Sequence, residues 1–230
     1  LLLAVIQSRF SSLRLPGKAL LTIGKQEILG RCIQRVKNSK LISEVLVATS
    51  IKISDQAIVD FCTQNNVPHY RGSNHNLVER LYGAANSKNQ KSFVRICGDS
   101  PFIDPIIIDE VINIFISGNY DIATNVFPRT FPKGHSVEVI KTNTMCKISK
   151  ATLSDSEKEH ATSYIYNNHT DFKIGVVKRN VNYCNSNHSI DEKKDLETAE
   201  KAVSIKNLEG LNWMEIEKVW SKAKKLIDEN

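Results

Sequence analysis

The side chains best suited to chemistry in this 230-residue chain follow directly on its first apolar run. Leu1 to Ile6 reads LLLAVI, and Gln7-Ser8-Arg9-Phe10-Ser11-Ser12-Leu13-Arg14-Leu15-Pro16-Gly17-Lys18 comes next. Ser8, Ser11 and Ser12 offer hydroxyls, while Arg9, Arg14 and Lys18 offer fixed positive charge. A polyphosphate needs several charge-assisted donors at once, and this set supplies them. A solvated basic turn is the competing reading; cations placed straight after a buried strand favour phosphate. Two more polar clusters stand at element ends: Gly98-Asp99-Ser100-Pro101 after SFVRIC, and Ser189-Ile190-Asp191 before a helical pattern. Taken alone, either aspartate caps a turn or a helix. Beside a triphosphate, a carboxylate at a strand end would anchor Mg2+, which takes one or two protein carboxylates plus phosphate oxygens.

The elements around these clusters alternate. The opening run reads as a strand buried on both faces, whose carboxyl end is where open α/β sheets bind ligands. Helical spacing covers Glu27 to Ser39, EVLVAT (44–49) is a second buried strand, and Ser54 caps a helix through Asn65. Val67 to Tyr70 is a short strand, Leu77 to Ser87 a helix and Ser92 to Cys97 a strand. Asp104 caps a helix beginning at Pro105 and running to Ser117, before a strand from Tyr120 to Asn125. Such alternation predicts a doubly wound, mostly parallel sheet. From Val126 to about Asn180 the rhythm changes: a Pro-containing loop, a strand at Ser136–Ile140, a helix from Ser154 to Asn168 and a strand from Phe172 to Lys178. This predicts a small α+β insertion within one domain spanning 1–230. Asp191 starts a helix through Ser204, and Asn212 caps the last one, where Trp213 and Trp220 read as core.

Composition narrows the partners. The net charge is +6, yet residues 1–40 hold eight Lys and Arg against Glu27 alone, so this end carries more than the whole surplus. That suits an anionic partner. No aromatic-rich RNA-binding strand, zinc spacing or helix-turn-helix pattern accompanies it, which reads against nucleic acid. Five widely spaced Cys with no C-x-x-C argue against a disulfide framework. No apolar run is long enough for a membrane span, and LLLAVI is short for a signal segment. The expectation is a cytoplasmic protein with no membrane partner.

The succession R-F-S-S-L-R-L-P-G-K, V-A-T-S, Y-R-G-S, R-I-C-G-D-S-P-F-I-D-P, E-H-A-T-S-Y-I and I-D-E-K-K-D-L-E resembles the cytidylyltransferase family. The likeness is to its spore-coat-polysaccharide type, related to the CMP-Kdo and CMP-sialic acid synthetases, and covers Leu3 to about Ala202. It implies a nucleotide-diphospho-sugar-transferase-like fold and a homodimer through 127–180. It implies transfer of CMP from CTP to a sugar, an acidic one by analogy, with release of pyrophosphate for surface polysaccharide synthesis. Carried over by motif, Ser8, Arg9, Ser11, Ser12, Arg14 and Lys18 would hold the triphosphate, Arg9 and Lys18 doing the catalytic work. Asp99 and Asp191 would hold Mg2+; Gly72, Ser73 and Arg80 would lie beside the nucleoside. Asn125, Arg129, Glu138, Glu159 and His160 would face the acceptor.

Two departures bear on the acceptor. Gly134-His135-Ser136-Val137-Glu138-Val139 stands where such relatives read G-L-D-V-E-V, so a carboxylate is missing at Ser136. Ser50 stands where the Kdo and sialic acid enzymes more often carry Asp. A phosphonate or polyol phosphate acceptor, a nucleic-acid-binding role and a catalytically idle nucleotide-binding subunit remain the alternatives.

Overall fold

The computed structural model describes residues 1–12 and 14–229. In chain order it runs β1 (Leu2–Gln7), the hairpin β2 (Thr22–Ile23) and β3 (Gln26–Glu27), α1 (Ile28–Lys37), β4 (Ile42–Ser50) and α2 (Gln56–Gln64). There follow β5 (His69–Gly72), α3 (Leu77–Ser87), β6 (Ser92–Cys97), α4 (Pro105–Ser117), β7 (Ile122–Thr124), β8 (Glu138–Lys141) and α5 (Thr142–Ser149). The chain closes with α6 (Asp155–Glu159), α7 (Ser163–Asn167), β9 (Ile174–Val176), α8 (Lys193–Ile205) and α9 (Trp213–Asp228). Among the described residues the main sheet has seven strands in the order β5-β4-β1-β6-β8-β7-β9. β1 pairs in parallel with β4 and β6, β4 with β5, and β7 with β9; β8 runs antiparallel to both β6 and β7. The loop from β7 to β8 contains no helix, so nothing returns the chain to the starting edge and the strand reverses. The expected doubly wound, mostly parallel sheet is therefore present, and the reversal falls where the rhythm of the sequence changes.

The continuous apolar run of β1 is explained by its central place: Leu3, Ala4, Val5 and Ile6 are all buried. Ala4, Ile6, Val94 and Ile96 pack with Leu29, Ile58 and Ile108 of α1, α2 and α4 on one face. Leu3, Val5, Phe93 and Ile140 pack with Leu81 of α3 and Met145 of α5 on the other. Where the parallel strands end, this second face turns polar, with Gln7, Arg95, Cys97, Thr124 and Glu138 succeeding the apolar residues two positions away. A third cluster joins Ile23, Phe102, Ala199, Ile216 and Trp220, and Trp213 packs in the first, so both tryptophans are core as expected.

Several local expectations are corrected. Ser54 does not cap α2; a 3-10 turn (Ile53–Asp55) precedes it, and Asp55 is fully buried. The helix expected over Ser154–Asn168 is two five-residue helices, α6 and α7, broken at His160 by an extended ψ of 84°. Asp191 does not start α8. Glu192 is the N-cap, locked in a reciprocal box with Asp195, which leaves the Asp191 carboxylate free for other partners. The hairpin and α5 went unread because their apolar patterns are too short to show a period.

Candidate active site

Three segments meet at the carboxyl ends of β1 and β6. Gly98 N donates to Gln7 O at 2.9 Å, and a Cβ at Gly98 would lie 3.0 Å from that same oxygen. This close backbone approach brings Asp99 beside the loop that follows β1. Ile190 N donates to Asp99 O at 2.9 Å and aligns Asp191 with Asp99. The Ile190 segment is held from behind by Gly134, whose φ of +90° only glycine adopts freely. A Cβ there would lie 2.7 Å from His188 C and Ser189 N. Below this contact, His135 Nε2 and His188 Nδ1 are 2.9 Å apart, and His188 Nε2 and Glu217 Oε2 are 2.8 Å apart.

At the meeting point stands Lys18. Its Nζ donates to Asp99 Oδ2 at 2.8 Å, Asp191 Oδ1 at 2.8 Å and Ile190 O at 2.9 Å, which engages all three ammonium protons. Burial opposes the Lys18 charge, but Asp99 and Asp191 outweigh it and raise its pKa above the ordinary value. Burial likewise opposes charge on Asp191, and Lys18 and Arg14 overcome it and hold the carboxyl below its usual range. Arg14 reaches Asp191 at 3.4 Å and Glu192 at 2.9 Å from the exposed side.

A cleft of about 550 Å³ opens above these groups, within the range of small-ligand sites. Ser8, Arg9, Ser11, Ser12, Arg14, Lys18, Arg80, Asp99, Glu159, His160 and Asp191 all line it. The structure thus brings together eleven of the residues singled out in the sequence. Asp55 shapes the loop: its Oδ1 accepts from Phe10 N at 2.8 Å, and its Oδ2 accepts from Ser50 N and Thr49 Oγ1. Arg9 donates to Asn74 O at 2.9 Å and pairs with Glu159 across the cleft. Arg80 is 2% exposed and donates to Ser73 O at 2.5 Å, and its Nε has no hydrogen-bond partner among the described residues. Burial, then the Arg9 charge, pushes its pKa down to about 10.

The other five lie outside the cleft lining. Gly72 packs under Tyr70 and Arg80, where a Cβ would meet both. Ser73 Oγ accepts from Asn76 N ahead of α3. Asn125 is fully buried and committed to backbone, donating to His135 O and accepting from Val137 N. Glu138 is 1% exposed and pairs with Arg95 and the Tyr166 hydroxyl. Arg129 donates to Ser136 Oγ at 3.0 Å. Arg95, not singled out in the sequence, also lines the cleft beside Gln7, Cys97 and Leu77. Sequence reasoning missed Asp55 altogether; an acid at an expected helix start gives no sign of reaching a loop 45 residues away.

A divalent cation fits the donor set only in part by protein. Among the described residues no group of three or more His, Cys, Asp or Glu gathers as a metal cage. Asp99 and Asp191 converge on one point, and two carboxylates completed by phosphate oxygens make the usual Mg2+ arrangement.

Residues 3–226 match the family model described as Cytidylyltransferase. A cytidylyltransferase structure from Leptospira borgpetersenii serovar Hardjo-bovis (strain JB197) superposes with a TM-score of 0.91 at 30% identity, covering 98% of this chain and 96% of that one. The spore coat polysaccharide biosynthesis protein SpsF of Bacillus subtilis (strain 168) is 27% identical over 205 residues, 86% of this chain and 84% of SpsF. A CMP:2-keto-3-deoxy-manno-octonic acid synthetase complexed with CTP shares the fold at a TM-score of 0.68 and 16% identity, over 89% of this chain and 99% of that one. Fold and cleft together define an α/β nucleotidyltransferase. The chain belongs to the cytidylyltransferase family, and its activity is CTP-dependent.

Proposed function

We propose that the protein uses CTP and Mg2+ to activate a sugar, an acidic one, as its CMP-conjugate with release of pyrophosphate, for surface polysaccharide or glycoconjugate synthesis. The observation that carries this reading is the convergence of Lys18, Asp99 and Asp191 under a cationic cleft. The relatives named for spore coat polysaccharide and for a keto-deoxy sugar acid support the acceptor class. Ser8, Ser11, Ser12 and Arg14 hold the triphosphate, and Gly72, Ser73 and Arg80 shape the nucleoside end. Glu159 and His160 face the acceptor from the cleft wall; Asn125, Arg129 and Glu138 support that end from behind it. The enzyme works in the cytoplasm as a homodimer through residues 127–180.

An acceptor hydroxyl attacks the α-phosphorus. The new oxygen–phosphorus bond forms as the bond to the bridging oxygen breaks, pyrophosphate leaves with the electron pair and the hydroxyl proton passes to solvent. Arg9 stabilises the charge that grows on the phosphate oxygens, such a donor being worth roughly 3 kcal/mol, and Lys18 does so once it exchanges one of its contacts to Asp99, Asp191 or Ile190 O for a phosphate oxygen. Asp99 and Asp191 would hold Mg2+, which when bound would supply charge neutralisation and lower the acceptor hydroxyl's pKa. Mass spectrometry of CMP-conjugates formed from CTP, Mg2+ and a panel of sugar acids, neutral sugars, polyol phosphates and phosphonates tests the reading. A CMP-sugar acid is the expected product. Asp99→Asn is expected to reduce turnover at least about a hundredfold with the circular dichroism spectrum unchanged; full activity in that variant would refute the metal assignment.

A further inference from the structure

Arg9 and Glu159 both line the cleft and pair with each other across it. Arg9 Nη1 donates to Asn74 O at 2.9 Å, and its Nη2 carries the bond to Glu159 Oε1. Both side chains are open to solvent, Arg9 at 25% and Glu159 at 49%, so an incoming anion can reach the contact. Arg80 sets a second guanidinium nearby. Burial, then the Arg9 charge, lowers the Arg80 pKa, and the charges of Asp55 and Glu159 work against that loss. Glu159 is thus an anion that the protein itself supplies to two arginines of the cleft.

The other cleft cation with its own carboxylates is matched differently. Lys18 is held by Asp99 and Asp191, which Mg2+ would neutralise once phosphate oxygens completed its coordination. Glu159 stands outside that pair, so a phosphate at Arg9 would confront it with like charge. The segment that carries Glu159 is also built to yield. Leu153 and Ala161 are buried in the cluster that packs with α3 and α5, whereas no residue from Ser154 to His160 is buried. Within α6 the polar contacts are local: Ser154 and Glu157 close a reciprocal capping box, and Lys158 pairs with Asp155. Among the described residues, Arg9–Glu159 is the only ion pair that joins 154–160 to another element. A short stretch anchored at two buried ends, with one partly exposed ion pair between them, opens at low cost.

We propose that Glu159 stands in for a nucleotide phosphate at Arg9, and that the triphosphate displaces it and releases α6 from the loop after β1. This rests on the reading of Arg9 as a triphosphate ligand. The guanidinium exchanges one oxyanion for another, since carboxylate and phosphate both present paired oxygens to its fork. The exchange needs no acceptor, and the carboxylate it releases can accept hydrogen bonds from acceptor hydroxyls.

The test is equilibrium binding of α,β-methylene-CTP with Mg2+ to the full chain, by isothermal titration at low ionic strength and without acceptor. Glu159→Gln removes the competing charge and keeps the side chain's shape. It is expected to tighten binding about threefold to fivefold, the reach of one partly exposed ion pair. Asp155→Asn takes the same charge from the same helix away from Arg9 and is expected to leave the affinity unchanged. Arg9→Gln is expected to weaken binding about tenfold, and Glu159→Gln added to it to bring no further change, since the two side chains act as one pair. Amide hydrogen exchange over 155–160 is expected to quicken when nucleotide binds the wild type, and to be quick in Glu159→Gln from the outset. A merely structural role for Glu159 would give slower exchange there on binding. No binding without acceptor, an equal gain in Asp155→Asn, or slower exchange over 155–160 in the nucleotide complex would overturn the proposal. Wild-type affinity in Arg9→Gln would overturn both the proposal and the triphosphate reading. Weakened binding in Arg9→Gln with no gain in Glu159→Gln would sink the exchange alone.

Discussion

Lys18 shows how a single side chain organises one end of the cleft. Its three protons meet two carboxylates and one carbonyl, so the charges that would otherwise repel each other are drawn to one point. The same contacts make stability depend on pH. The folded Asp191 pKa lies below its ordinary 3.8, so its contribution is present above that value and lost as pH falls through the folded pKa. Asp191→Asn is expected to remove this acid-sensitive part. Urea midpoints measured from about pH 5 down to about pH 2 are expected to fall less steeply in the variant than in the wild type. Parallel slopes would show that Lys18 does not favour the charged carboxylate. Because Asp191 remains partly exposed, solvent screens the pair and the difference is expected to be modest.

Asp104 plays a comparable part between elements. One oxygen accepts from Ile106 N at 2.8 Å and caps α4, with Pro105 at the first helical position. The other accepts from Trp213 N at 2.8 Å and fixes the start of α9. Asp104→Ala removes both acceptors and leaves the buried Trp213 N–H unpaired. The expected loss is about 2–3 kcal/mol, read as a lower urea midpoint with unchanged slope. The cap on α4 was legible in the sequence because Asp-Pro before an apolar pattern is a local signal. Its second bond spans 109 residues and leaves no local trace. The same division holds at the cleft. Lys18 and Asp99 could be named from residue type and position after strands, and Asp191 from its place before a helical pattern, with the family resemblance adding their roles. The Asp55 support and the exchange of caps between Asp191 and Glu192 could not, since both depend on tertiary packing. A short helix such as α6 is likewise set by its surroundings more than by periodicity.

Across the whole molecule, the sheet's topology decides which surfaces can serve which purpose. The carboxyl ends of β1 and β6 converge on the cleft, while the reversed β8 sets Glu138 beside Arg95 behind the cleft wall. The proposed homodimer contact through residues 127–180 does not include the loops after β1 and β6, although Glu159 and His160 of that stretch line the cleft. Light scattering at micromolar concentration is expected to give about twice the mass of 25.9 kDa. A monomeric mass would remove that assignment. Among the described residues no helix is long and apolar enough to cross a membrane.

The seam running from Gly134 through His135 and His188 to Glu217 has a remote effect. It links the last helix to the segment that carries Asp191 of the cleft lining, although no residue of that helix is among those that line the cleft. Burial works against charge on Glu217, but its bond to His188 prevails and keeps the carboxyl ionised below its usual pKa. Coupling of this kind is reciprocal, so whatever steadies one end must steady the other. Amide hydrogen exchange is expected to slow in the opening turns of α9 when CTP and Mg2+ are added, and Glu217→Ala is expected to abolish that slowing. Unaltered exchange in the wild-type protein would mean that the rear of the molecule does not sense occupancy at the front.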